Sequence, residues 1–254
     1  MNTATSATSP MTAHAPISRA MILAAGLGTR FKPWTDRHPK ALAPVNGKSL
    51  LQRNIEYLQT FGIRDIVVNV HHFADQIVGA LEAGKGWGSR YTISDETDMV
   101  LETGGGLLKA RPLLESAPFV LMNVDILTDM DLAAMIADFF LHRPLATLAV
   151  TSRTTSRYFL FDPADQLCGW RNVQTGQERM PRPAEAYVEK AFSGIHVIDP
   201  AIFSLIGRTG KFSMVDVYLD LAGTQAIRGF DHSHSRLIDV GKPESAERAA
   251  QLFP

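Results

Sequence analysis

The sequence predicts an α/β fold built on a doubly wound, mostly parallel sheet, and three observations carry that prediction. Short runs of apolar and β-branched residues recur at "AMILAA" (20–25), "DIVVNV" (65–70), "PFVLMN" (118–123) and "LATLAVT" (145–151). These runs are nearly all apolar instead of alternating, as strands covered on both faces require. Between them, "SLLQRNIEYLQTFG" (49–62) and "MDLAAMIADFFLH" (130–142) space their apolar residues as helices do. Strand and helix therefore alternate, and in such sheets ligands bind beyond the carboxyl ends of the strands.

Taken in order, residues 1–18 are rich in Ala, Thr, Ser and Pro and lack the charged start and apolar middle of a secretory signal. They read as a disordered leader ahead of a single domain at 19–254. With 45% hydrophobic residues, a chain of 254 residues can bury one substantial core. A net charge of -1 gives no broad attraction to nucleic acid or membrane, and no apolar run approaches the ~20 residues needed to span a bilayer. The expectation is a soluble, cytoplasmic protein. Cys168 stands alone and cannot form an internal disulfide, so a buried, inert thiol is its expected role.

The strand at 20–25 runs into "GLGTRFKP", the strand at 65–70 into "HHFADQ", and the strand at 118–123 into "VDILTD". Asp129 is the expected cap of the helix that follows. From Thr151 the chain changes to short alternating pieces with Asp-Pro, Thr-Gly and Pro-x-Pro punctuation. About 151–190 therefore read as β-hairpins inserted over the sheet, a lid or substrate wall. "AYVEKAFSGIHVID" (186–199) returns as a strand, and Asp199-Pro200 opens a helix with a cap and a first-turn proline. A last strand at 235–240, "SRLIDV", and a helix at 243–253 close the fold.

The glycine-spaced turn after the first strand states the chemistry. Gly26-x-Gly28 lets the backbone pass close to a ligand and aim successive N–H groups at phosphate oxygens. A dinucleotide fingerprint wants Gly or Ala three residues after Gly28, where Phe31 stands, and a P-loop needs a glycine at position 42, where Leu42 stands. What remains is a loop with its own cations, Arg30 and Lys40, able to neutralise a polyphosphate. The whole run "ILAAGLGTRFKPWTDRHPKALAPV" (22–45) resembles the signature of the sugar-1-phosphate nucleotidylyltransferases, A-G-x-G-T-R followed by P-K-x-L-x-P-V.

That resemblance implies the Rossmann-like nucleotide-diphospho-sugar transferase fold and a reaction. In it, a nucleoside triphosphate is attacked at its α-phosphorus by a sugar 1-phosphate, giving an NDP-sugar and pyrophosphate. It implies that Ala24, Ala25, Gly26, Gly28, Thr29 and Arg30 hold the triphosphate and that Lys40 touches the phosphates at the reacting centre. It implies Mg²⁺ held by two aspartates, and the chain offers Asp125 after its third long strand and Asp239 before Val240-Gly241. Such a hard cation prefers carboxylate, water and phosphate oxygens. The family usually has glycine before the first aspartate, where this chain has Val124, so the local backbone is the open point. Arg30, Lys40 and Asp125 are the implied catalytic set.

"LETGGGLLKA" (101–110) resembles the family's nucleoside-contacting loop, so Thr103, Gly104 and Gly105 are candidates for base or ribose, or else a helix cap with small packing residues. Ser193 and Gly194 match the family's N/S/T-G-I step facing the sugar, with Glu189 as the nearby acid and Asn123 able to reach a sugar hydroxyl. Larger relatives carry a catalytic-site Glu-Lys-Pro. The Glu189-Lys190 pair lies too close to Ser193 for that role, so Lys190 reads as a solvated strand residue. The His71-His72 and His232-x-His234 pairs lack a third ligand at a characteristic spacing and read as structural or surface residues. Trp170 reads as hairpin packing.

Compact length and "LETGGG" are most similar to the branch holding N-acetylmuramate 1-phosphate uridylyltransferases and heptose 1-phosphate guanylyltransferases. Two further readings stay open, a phosphocholine cytidylyltransferase and a nucleotide-binding regulatory subunit without turnover. Base, sugar and oligomeric state are not legible.

Overall fold

The computed structural model describes residues 17–254. Residues 1–16 of the expected leader lie outside the described residues, but its last two positions belong to the fold. Ile17 is buried, and the Ser18 carbonyl accepts the N–H groups of Arg64 and Asp65.

The first half is the expected alternation. Strand β1 (Arg19–Leu23) leads through a loop and a two-strand ribbon, β2 (Pro44–Val45) and β3 (Lys48–Ser49), to helix α1 (Leu50–Thr60). Ser49 caps α1, its hydroxyl accepting from the Gln52 N–H. Then follow β4 (Asp65–Val70), α2 (Ala74–Ala83), β5 (Arg90–Asp95), α3 (Glu102–Lys109), α4 (Arg111–Leu114), β6 (Phe119–Asn123), a short β7 (Ile126–Thr128), α5 (Leu132–His142) and β8 (Ala146–Thr151). Strands β5, β4, β1 and β6 lie side by side and parallel, so their carboxyl ends share one edge. Asp131, not Asp129, caps α5 through the Ala134 N–H, and Asp129 instead pairs with Arg236.

The second half departs from expectation. Strands β9 (Arg157–Phe161), β10 (Leu167–Asn172) and β11 (Glu178–Arg179) pair into the sheet through the strand at Val188–Ile198, while the β9–β10 hairpin also packs on the strand at Ile227–Asp231, its Asp165 carbonyl accepting the Gly229 N–H and Phe161 lying against Gly229. The junction is β12 (Val188–Ile198), eleven residues long, whose start pairs with β9 and whose end is antiparallel to both β6 and β8. Beyond α6 (Ile202–Leu205) and α7 (Met214–Leu221), β13 (Ile227–Asp231) joins β8 in parallel, completing a ten-stranded mixed, mostly parallel sheet. The "SRLI" strand does not enter that sheet. As β14 (Leu237–Asp239) it pairs with β7 in a separate ribbon before α8 (Pro243–Leu252).

Two apolar layers sandwich the sheet. One holds Ile22, Val68 and Met122 with Leu51, Ile55 and Leu58 of α1; the other holds Met21, Val67 and Leu121 with Phe203, Val217 and Tyr218. Successive residues of each strand face opposite layers, which is why the strand runs are apolar throughout. Cys168 is fully buried and free, and burial pushes its thiol pKa up. Among the described residues no helix is long and apolar enough to cross a membrane.

Candidate active site

A cavity of about 520 Å³ opens beyond the carboxyl ends of β1, β4, β5 and β6. Its wall includes Ala24, Ala25, Gly26, Gly28, Thr29 and Arg30 from the loop after β1, with Lys40, Asn123, Asp125 and Thr103. The loop is shaped by its glycines. Gly28 has φ +61°, and a Cβ there would lie 2.8 Å from the Thr35 methyl and 3.0 Å from the Lys40 Cβ. The Thr35 hydroxyl and the Phe31 N–H both donate to the Gly28 carbonyl, closing the turn. A Cβ on Gly26 would meet nothing within 4 Å, so this side of the residue faces open space, and Gly26 lies in the cavity wall.

The charged groups of the first and last segments meet here. Lys40 stands at the start of a 3-10 turn behind Pro39, and its Nζ lies 2.5 Å from Asp125 Oδ2. Asp125 lies two residues past the end of β6. Its segment is fixed by the Val124 N–H donating to the Leu23 carbonyl and by Asn54 of α1 donating to the Val124 carbonyl at 2.7 Å. Val124 does not adopt a left-handed conformation, so the family's usual glycine is not needed for this backbone path.

Asp239 arrives from the other end of the chain. It faces Ile126 across the β7–β14 ribbon, and the next N–H, that of Val240, donates to the Asp125 carbonyl at 2.8 Å. A Cβ on Gly241 would sit 2.9 Å from Asp239 Oδ1 and 3.5 Å from the Arg30 guanidinium, so both charged groups flank the bare glycine. Desolvation, and then the charge of Asp125, push the Asp239 carboxyl above its ordinary pKa, with Lys40, Arg30 and Arg153 opposing. Two crowded carboxylates beside a phosphate-sized space, with no third His, Cys, Asp or Glu grouped with them among the described residues, suit a hard divalent cation completed by water and phosphate oxygens.

The end of the cavity beyond β4 and β5 holds a residue the sequence reading did not single out. Glu96 follows β5 and is 1% exposed. Its Oε1 accepts from the Asn69 amide at 2.7 Å, while Oε2 is buried with no partner. The Asn69 Oδ1 in turn accepts the Ala24 N–H at 2.7 Å, tying the carboxylate to the phosphate loop. Burial foremost raises the Glu96 carboxyl pKa. The available clue was position: an acid directly after a strand, at the ligand-binding edge. His71, at the next strand end, bonds the Glu96 carbonyl, and His72 lies against the Thr35 carbonyl.

Other candidates separate into wall and scaffold. "ETGGG" is not a loop before a helix but the first turns of α3, and Glu102 enters it at φ +59°. Thr103 lines the cavity and accepts the Met214 N–H. Gly104 and Gly105 are buried outside it, both donating to the Phe212 carbonyl, and a Cβ on Gly105 would lie 2.3 Å from the Gly210 carbonyl oxygen. Ser193 is fully buried against His232 Nε2, and Gly194, at φ +73°, forms a bulge in β12. A Cβ there would strike the Asn123 amide at 2.7 Å, so the bulge seats Asn123 in the wall. Glu189 is exposed and pairs with Arg171 at 2.6 Å; Trp170 packs on the second apolar layer.

Residues 19–195 match the family model described as nucleotidyl transferase. Over 237 residues the chain is 34% identical to N-acetylmuramate alpha-1-phosphate uridylyltransferase of Caulobacter vibrioides, covering 89% of this chain and 93% of that one. A protein of the same name from Neisseria meningitidis serogroup B is 43% identical over 116 residues, 46% of this chain and 50% of that one. Among solved structures, HddC from Yersinia pseudotuberculosis superposes with a TM-score of 0.75 at 23% identity, over 94% of this chain and all of that one.

Proposed function

The chain belongs to the nucleotidyl transferase family, and on that premise we propose that it joins UTP and a sugar 1-phosphate into a UDP-sugar, with N-acetylmuramate 1-phosphate the favoured acceptor. The observation that carries this reading is the convergence of Arg30, Lys40 and Asp125 in the wall of one cavity beyond β1 and β6, with Asp239 near enough behind Gly241 to feel the charges of all three. An oxygen of the sugar phosphate attacks the α-phosphorus of UTP, the bond from that phosphorus to the bridging oxygen breaks, and pyrophosphate leaves. No protein nucleophile is needed; the chain positions two anions and neutralises charge. The Gly26–Arg30 loop cradles the triphosphate, and Arg30 and Lys40 oppose the charge that develops on the leaving group. Asp125 and Asp239 would hold Mg²⁺, which when bound screens the phosphates and polarises the reacting phosphoryl group. A nucleoside triphosphate substrate fits a cytoplasmic enzyme.

Glu96 supports uracil as the base. At the cavity wall its carboxylate accepts and does not donate, which suits the single imide N–H of uracil. Guanine presents two donors on that edge, and cytosine an acceptor at the matching ring nitrogen. The name shared by the Caulobacter and Neisseria relatives supports the acceptor. The cavity wall carries no Phe, Tyr or Trp, so it offers no aromatic cage for phosphocholine.

Pyrophosphate release measured for four nucleoside triphosphates against a panel of sugar 1-phosphates tests the reading. UTP with N-acetylmuramate 1-phosphate should be turned over best, and EDTA should abolish release. Triphosphate binding without release in every pairing would instead support a regulatory subunit.

Glu96→Gln should raise the KM for UTP about tenfold, the scale of turning one buried acceptor toward a donor. CTP should be affected less. Acid has a related effect in the native chain. Because burial raises the Glu96 pKa above 4.5, the carboxylate protonates and becomes a donor in a window above the ordinary glutamate range. KM for UTP should therefore climb as pH falls through that window, and Glu96→Gln should flatten the climb. A native KM that stays level with pH would remove Glu96 from base recognition.

A further inference from the structure

The amino end of β12 and the carboxyl ends of β8 and β13 meet on the side of the segment that carries Asp125. Three cations stand there, and two are spoken for. Lys190 Nζ lies 2.5 Å from Asp231 Oδ2 and 3.0 Å from the Ser152 hydroxyl, and Arg236 Nε lies 2.6 Å from Asp129 Oδ2. Arg153, two residues past β8, has no carboxylate within ion-pair distance among the described residues.

Its guanidinium is nonetheless anchored. One Nη2 donates to the Phe192 carbonyl at 2.8 Å, immediately before the Ser193-Gly194 bulge that seats Asn123 in the cavity wall. The remaining donors of the planar group are unclaimed. Arg153 also lies near enough to Asp239 for its charge to favour the ionised carboxylate there. The geometry thus sets an exposed cation, held by one backbone carbonyl and without a carboxylate partner among the described residues, close to Asp239 and to the bulge that seats Asn123. Arg30 and Lys40 are assigned to the triphosphate and the reacting centre, so Arg153 is a further cation available to the acceptor.

We infer that Arg153 binds an anionic oxygen group of the acceptor through the free edge of its guanidinium. This rests on the reading that the acceptor is a sugar 1-phosphate. The group can be the 1-phosphate itself or a carboxylate on the sugar, since the fork of a guanidinium fits both.

The test uses the full chain with Mg²⁺ and compares the native protein with Arg153→Ala and Arg153→Lys. The acceptors are N-acetylmuramate 1-phosphate, which carries phosphate and carboxylate, and N-acetylglucosamine 1-phosphate, which carries phosphate alone. Arg153→Ala should raise the acceptor KM about tenfold or more while leaving the KM for UTP within about twofold, the scale of one charge-assisted contact. Arg153→Lys should recover part of the loss. Equal loss with both sugars assigns the 1-phosphate; loss with N-acetylmuramate 1-phosphate alone assigns the carboxylate. An unchanged acceptor KM, or an equal rise for UTP, overturns the inference. If the native chain turns over no sugar 1-phosphate at all, the functional reading fails instead. Calorimetric binding of inorganic phosphate to the UTP-loaded proteins then decides Arg153: weaker binding by Arg153→Ala supports the site, and equal binding overturns it.

Discussion

Asp125→Asn should lower kcat by about a hundredfold or more, the scale seen when one preorganised electrostatic partner is removed from a reacting centre. The change keeps the side chain's size, and the amide oxygen can still accept from Lys40 Nζ, now 2.5 Å from the carboxylate. It removes one of the two negative charges that would hold Mg²⁺. It also relieves Asp239, whose carboxyl the Asp125 charge helps to raise. Thermal stability should fall only modestly, since the Asp239 charge still favours the Lys40 ammonium, while turnover collapses, and UTP binding should lose most of its dependence on added Mg²⁺. Pyrophosphate release, a melting curve and a Mg²⁺ titration of UTP affinity check the three statements together. A near-native kcat would remove Asp125 from the reaction, and a collapsed melting point would make its role structural.

The strands that hold this centre were legible because each is an unbroken apolar run facing two layers, as Ile22 and Met21 of β1 do. The edge strands were not. β5 reads "RYTISD" and β13 "IRGFD", with polar residues on a half-exposed face, so neither forms a continuous apolar run. The phosphate loop was legible for a related reason: Gly28, Arg30 and Lys40 act through conformation and charge that local sequence states outright. Glu96 was hidden because its environment is tertiary, supplied by Asn69 from β4 and by burial. The three glycines of "ETGGG" misled in the opposite sense. Glycine normally weakens a helix, but Gly104 and Gly105 must lack a Cβ for the Gly210–Phe212 backbone to dock on α3. Sequence alone does not disclose which partner will need that space. The hairpins at 157–179 were legible as hairpins, but not their junction with the sheet. That junction depends on β12 being long enough to pair with β9 at one end and with β6 and β8 at the other.

Lys40→Met should affect both stability and rate, and the two effects should separate in a double variant. Methionine keeps the unbranched stem that fills the space beside Gly28, so packing is largely preserved. The ammonium is lost from an ion pair whose side chains are only 10% and 22% exposed. Asp125 and Asp239 are then left to repel each other with only Arg30 and Arg153 opposing. Breaking a fully buried pair costs 3–5 kcal/mol; with this residual exposure about 1–3 kcal/mol is expected. The sign with pH follows. Losing the cation raises the Asp239 carboxyl further in the folded state, so the deficit is fully present above the raised value and fades as pH falls and Asp239 protonates. Turnover should drop about a hundredfold, because the charge opposing the leaving pyrophosphate is gone at every pH. Adding Asp125→Asn to Lys40→Met should restore most of the stability, since the stranded charge is removed, yet restore none of the rate. Melting curves from pH 4 to 8 and pyrophosphate release on the two single variants and the double variant separate these terms. Recovery of rate together with stability would mean that Lys40 serves only to neutralise Asp125, and that Arg30 alone faces the triphosphate.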